Sequence, residues 1–293
     1  MRIVIALLLY TGALFNPAYA SMLYTVNNAT GVLMRIDTNT LALTTVGPLG
    51  VPFLFGGLAW DSANSTLYMV DGRGAQSLYT VNTTTGAATL VGSHGLTDLF
   101  GLTFDTANGT MYATQFIVNT PLQTLNLGTG AATAIGTGAG NARIGTLAYN
   151  TNTNQLIGLQ DCLGCAALYS INIATGAQTL LNGAGLDTNN SGMTYDPVLN
   201  RFWDVDVNGR LSYFDPANGY AQTQVTTFAV SLDGLAFVTG GAPPPAPTVG
   251  VPTLSQWSLA LLAIVLIGTG AFTRRAMPRG ATRRLAHRDR WQG

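Results

Sequence analysis

The chain has 293 residues, with 13 basic and 13 acidic side chains, a formal charge of zero and 47% apolar residues. Every base is arginine and every acid is aspartate. Residues 21–250 hold five arginines against twelve aspartates, a formal −7, while Arg274, Arg275, Arg279, Arg283, Arg284, Arg288 and Arg290 crowd the C-terminal end. An acidic body argues against nucleic acid or an anionic membrane surface as partner, and apolar content this high argues against disorder.

The N-terminus reads as a secretory signal peptide, residues 1–20. Arg2 supplies the positive charge and Ile3 to Phe15 the apolar run. Ala18 and Ala20 form the small-x-small site, so cleavage leaves Ser21 first.

Residues 21–238 are built from repeats. One unit runs GLAWDSANSTLYMVD to SLYTVNTTTGAATLVG (Gly57 to Gly92), the next from Gly101 to Gly136, then Thr146 to Leu181 and Gly192 to Val225. An aromatic residue of the first strand recurs at Trp60, Phe104, Tyr149, Tyr195 and Phe237, at intervals of 42 to 46 residues. Each unit holds four short alternating runs separated by Asn, Asp, Gly and Thr, which predicts four antiparallel strands. Asn108-Gly109, Thr85-Gly86, Thr175-Gly176 and Asn218-Gly219 fall between strands as turns. The opening segment Leu23 to Gly47 matches strands two to four and lacks strand one, and the fragment Gly234 to Val238 is strand one alone. The two together make one blade. The expected fold is an all-β, five-bladed β-propeller closed by a shared N- and C-terminal blade. It resembles small propellers of bacterial surface proteins, a resemblance that implies fold more than function.

After the propeller come a Pro- and Gly-rich linker, residues 239–250, and the run Val251 to Trp257, VPTLSQW. From Leu254 to Phe272 there are 19 residues, about the length of one transmembrane helix. The motif and helix occupy residues 251–275, and a basic tail, residues 276–293, stays cytoplasmic by the positive-inside rule.

Val251, Pro252, Thr253, Leu254 and Trp257, followed by an apolar span and arginines, resemble the IPTL-CTERM sorting signals of Gram-negative bacteria. Val251 replaces the Ile of the family name, and Ser258 stands where Gly is common. The resemblance implies recognition by an exosortase-type membrane transpeptidase, cleavage near the motif and transfer to the cell surface, with this chain as cargo.

Candidate chemistry is sparse. Asp204, Asp206 and Asn208 have the alternating oxygens of a calcium loop. The same residues read better as the end of a strand and an Asn208-Gly209 type I′ hairpin turn. Asp215, at the far end of that loop, has repeat counterparts at Asp37, Asn82, Asn126 and Asn172 and reads as a turn residue. Cys162 and Cys165 form Cys-x-x-Cys, and export makes a local disulfide the default. The second strands end in Asn27, Asp71, Gln115, Gln160 and Asp206. The loops at the same end carry His94, Asp98, Asn141, Arg143, Asp187 and Asn189. This polar ring is a possible ligand face for a sugar or cation, against the plainer reading that strand ends meet water. No G-x-S-x-G elbow is present. The expectation is a monomeric, non-enzymatic surface protein without cofactor, its propeller a binding or structural module in an extracellular matrix. Surface polysaccharide or another surface protein is the partner of the binding reading, and a coat protein without ligand is the structural one. The alternative is a carbohydrate-active hydrolase or lyase using paired aspartates.

Overall fold

In the computed structural model, residues 21–238 are described, except 161, 163 and 190. They form twenty strands in five four-stranded antiparallel sheets. The chain opens with β1 (Met22–Asn27), β2 (Val32–Asp37) and β3 (Leu43–Pro48). The second sheet is β4 (Gly56–Asp61), β5 (Thr66–Asp71), β6 (Ser77–Val81) and β7 (Ala88–Ser93). The third is β8 (Leu99–Asp105), β9 (Thr110–Gln115), β10 (Leu122–Leu125) and β11 (Ala132–Ile135). The fourth is β12 (Thr146–Asn150), β13 (Gln155–Gln160), β14 (Ala167–Ile171) and β15 (Gln178–Asn182). The fifth is β16 (Ser191–Asp196), β17 (Arg201–Asp206), β18 (Arg210–Asp215) and β19 (Ala221–Thr227).

The last strand, β20 (Leu232–Val238), pairs antiparallel with β1, so the first sheet runs β20-β1-β2-β3. The first strands pack side by side, β4 with β8, β8 with β12, β12 with β16, β16 with β20 and β20 with β4. This is a closed five-bladed propeller with the shared blade that the repeat arithmetic predicts. The expected C-terminal linker, sorting motif, transmembrane helix and basic tail lie outside the described residues, as does the expected signal peptide. Among the described residues no helix is long and apolar enough to cross a membrane.

Burial follows strand position. β8 and β20 are buried throughout, whereas the outermost β7 and β15 are mostly half-buried or exposed. Alternation turns successive side chains of one strand toward different neighbouring blades. Met22 and Tyr24 pack against blade two, and Leu23 packs against blade five. The core is therefore five wedges between blades. Large apolar side chains such as Leu33, Met69, Leu102 and Phe202 are almost fully buried in them.

An innermost strand exposes one edge to the ring axis, and its buried N–H groups need acceptors. Threonines of the preceding blade supply several. Tyr149 N donates to Thr103 Oγ1 at 3.0 Å, Met193 N to Thr146 Oγ1 at 2.7 Å and Phe237 N to Thr194 Oγ1 at 3.0 Å.

Turn chemistry repeats with the blades. Asp61 and Asp105 end first strands, and each carboxylate accepts from the backbone N–H groups two and three residues on, at 2.9 to 3.3 Å. Asp37, Asn82, Asn126 and Asn172 do the same after third strands. Asp215 holds a single such bond, from Ala217 N at 2.8 Å, and caps a short 3₁₀ turn.

Asn208-Gly209 is not a type I′ turn. Only Gly209 has positive φ, at 76°, and its N–H reaches Asp206 O at 2.8 Å. Asp206 explains the difference. Its carboxylate accepts from Asn208 N and Arg210 N, both at 3.0 Å. That Asx turn keeps Asn208 out of the left-handed region, and the glycine alone takes it.

Candidate functional site

The ring has two ends. At the upper end first strands begin and second strands finish, since Asp71 pairs with Gly56, Asp206 with Ser191 and Asn27 with Leu232. The structure brings Asn27, Asp71, Gln115, Gln160 and Asp206 to this end but directs each to its own blade or the adjoining loop. Asn27 Oδ1 accepts from Ala29 N at 3.0 Å. Asp71, fully buried, accepts from Leu54 N, Gly74 N and Ala75 N at 3.3, 3.1 and 2.5 Å. Gln115 Nε2 donates to Thr97 O at 3.0 Å, and Gln160 Oε1 accepts from Tyr169 Oη at 3.2 Å. Asp206, 1% exposed, accepts from Arg210 Nε at 2.7 Å as well as from the two hairpin amides.

Neighbouring first strands approach closely at this end because glycines leave room for them. A Cβ on Gly57 would meet Phe100 O and lie 2.6 Å from Leu102 Cβ. One on Gly192 would strike Gly234 and lie 2.6 Å from Leu235 N. One on Gly101 would strike Thr114 Oγ1 and come within 3.1 Å of Leu147. The five second-strand termini lie next to this collar of first strands, one in each blade.

Arg210 anchors the corner of blade five, bonding Asp206 and, from the loop before β16, Asp187. Burial pushes the Arg210 guanidinium down, but Asp187 and Asp206 outweigh it and hold it above its ordinary value. A cation at Asp206 would therefore compete with a guanidinium already in place. Asp204, on the same strand, accepts from Thr188 Oγ1 at 3.3 Å. Among the described residues no three His, Cys or Asp side chains group as metal ligands. Cys162 and Cys165 are joined in a disulfide with Cα atoms 5.2 Å apart. His94 is buried, and burial pushes its imidazole down while the neighbouring Asp71 pulls it partly back.

At the lower end a small central cavity of about 90 Å³ is lined from all five blades. The recurring aromatics Trp60, Phe104, Tyr149, Tyr195 and Phe237 all border it. They show it little more than an edge, since Phe104, Tyr149, Tyr195 and Phe237 are at most 8% exposed and fill the wedges between blades. Burial, with Asp105 beside it, pushes the Tyr149 hydroxyl up to about 12, so it stays a neutral donor. The cavity is far below the roughly 300 Å³ at which ligand pockets begin.

The upper end also holds a cluster that repeat reading missed. The rings of Phe55 and Phe100 lie 5.7 Å apart, and those of Phe100 and Phe116 5.4 Å apart. The Arg73 guanidinium covers Phe55 and Phe100 at 5.1 and 5.0 Å, and Arg143 covers Phe116 at 4.1 Å. Arg73 Nε donates to Asp98 at 2.5 Å. Phe55 takes the left-handed conformation, φ 54°, which costs an L-residue about 1–2 kcal/mol. The three phenylalanines stand at different repeat positions: one before a first strand, one inside it and one after a second strand. Their arrangement had no periodic signal.

Residues 250–279, outside the described residues, match the family model for the IPTL-CTERM motif. The chain carries an IPTL-CTERM motif. No curated protein matches the chain. Among solved structures, a chain of a nidogen/laminin complex is similar, with 16% identity, 74% of this chain and 80% of that chain covered, and a TM-score of 0.51. A structural-genomics protein of unknown function from Bacteroides thetaiotaomicron has 18% identity, 72% and 62% coverage, and a TM-score of 0.49. At such identity the likeness to the nidogen/laminin chain shows the fold alone.

Proposed function

We propose that this is an exported cell-surface protein, delivered as cargo of an exosortase-type membrane transpeptidase, whose propeller serves as a binding module in an extracellular matrix. The observation that carries the reading is the IPTL-CTERM motif at residues 250–279, downstream of a closed propeller on one chain. The arginines beyond the apolar run would hold the precursor's tail in the cytoplasm and leave the propeller outside. The signal-peptide reading of residues 1–20 gives the same orientation. A ring without open blade-to-blade edges suits an exposed surface, because it leaves less backbone to pair with other chains.

The reading is non-enzymatic. A two-carboxylate hydrolase or lyase needs acids free to face a substrate. Asp71 and Asp206 instead hold loop backbone and, for Asp206, a guanidinium.

The test is the intact mass and C-terminal peptide of the protein recovered from its native cell surface. Loss of everything beyond the VPTLSQW segment, with or without an added mass, supports sorting. A mass retaining Trp257 to Gly293 overturns it and leaves a permanently anchored propeller.

A further inference from the structure

We propose that the phenylalanine–arginine cluster at the upper end binds a polysaccharide whose repeating units carry a carboxylate. This deepens the binding-module reading and rests on it. Two guanidiniums already rest against aromatic rings, at 5.0 and 4.1 Å from the ring centres, so less side-chain freedom remains to be lost when an anion arrives. Arg73 spends Nε on Asp98 and keeps its terminal N–H groups for a ligand. Arg143 makes no hydrogen bond or ion pair with the described residues, and Phe55, one of the rings of the cluster, holds a left-handed backbone at φ 54°.

The body is formally −7, so long-range attraction does not bring an anion here and the contact itself must hold it. One surface carboxylate gains little from one arginine. A repeating anion engages Arg73 and Arg143 together, and the second contact is intramolecular. Leu54, next to Phe55, and Val118, two residues after Phe116, are 48% and 57% exposed. A sugar acid offers its C–H face to such apolar surface and its carboxylate to the guanidinium. A polyaspartate chain offers only the carboxylate.

Calorimetric titration of the full-length chain in detergent tests this, with polygalacturonate as the probe and dextran and polyaspartate as comparisons. Polygalacturonate is expected to bind, more weakly as salt rises from about 50 to about 300 mM. Dextran should not bind, and polyaspartate should bind at least about tenfold more weakly. Arg143→Ala and Arg73→Ala should each weaken polygalacturonate binding about fivefold or more at unchanged Tm, and Arg143→Lys should not restore it, because lysine lacks the planar fork. Equal binding of polyaspartate, no binding of polygalacturonate, or binding indifferent to Arg143→Ala overturns the proposal. Binding of dextran alone also overturns it while leaving the binding-module reading in place, and sorting is read independently by the mass measurement.

Discussion

Gly192→Ala is the sharpest probe of how the ring closes. Gly192 does not have positive φ, so an alanine there meets no left-handed backbone penalty. Its cost comes from what the methyl group strikes. The new Cβ would lie 2.6 Å from Gly234 Cα and from Leu235 N, both on β20, the strand that closes the propeller. Obstacles made of backbone cannot rotate away as a side-chain end would. Overpacking of this kind costs about 1–3 kcal/mol, and the upper part of that range applies because β16 and β20 must separate. For a domain of this size each kcal/mol lowers Tm by about 2–4 °C, so a fall of about 6–12 °C is expected. The assay is thermal unfolding followed by far-UV circular dichroism. The comparison variant is Gly109→Ala, with φ 65° and no atom within 4 Å of the added Cβ. That variant carries only the left-handed penalty, about 1–2 kcal/mol. If Gly192→Ala falls no further than Gly109→Ala, the tight glycine collar is not what sets the spacing of the first strands.

Three other outcomes follow from the same contacts. Arg210→Ala leaves Asp206, 1% exposed, with backbone donors but no cation, and should cost about 3 kcal/mol in urea unfolding, whereas Asp187→Ala, at a 64% exposed carboxylate, should cost under about 1 kcal/mol. Equal losses would contradict the assignment of Asp206 as the buried partner. His94 is held below its ordinary value by burial, so the folded state binds its proton less readily than the unfolded chain. Its contribution is intact above about pH 6.5 and is lost as pH falls below it, at up to about 1.4 kcal/mol per pH unit. Stability of His94→Gln relative to wild type should therefore rise between pH 7.5 and pH 5.5, and a constant difference would refute the assignment. Replacing both Cys162 and Cys165 with Ala opens a very short loop and should cost at most about 2 kcal/mol; a larger loss of Tm would mean the pair holds more than its own turn.

What the sequence showed and what it hid divide along one physical line. Contacts that repeat were legible. Alternation within each run announced the strands. The missing first strand before Leu23 and the stray Gly234 to Val238 announced the shared blade that β20 and β1 form. Asp37, Asn82, Asn126, Asn172 and Asp215 stood where turns recur, and each accepts a backbone N–H two residues on. The glycine before the first apolar residue of the strand also recurs, at Gly57, Gly101, Gly192 and Gly234. It reads as a mere marker of the repeat until neighbouring strands are in place, because its role is the close approach of another blade. The polar strand ends were located correctly along the chain, but sequence could not say where Asp71 and Asp206 aim. A carboxylate next to a tight loop finds backbone N–H groups within two to four residues, and that local capture comes before any ligand. The Phe55, Phe100 and Phe116 ladder breaks the repeat and joins loops from different blades. A contact made only by breaking the repeat cannot be read from the repeat, and in a fold built of near-copies the departures are where one blade is made to differ from the next. The two arginines seated on that ladder are such a departure, and they give this ring of similar blades a side.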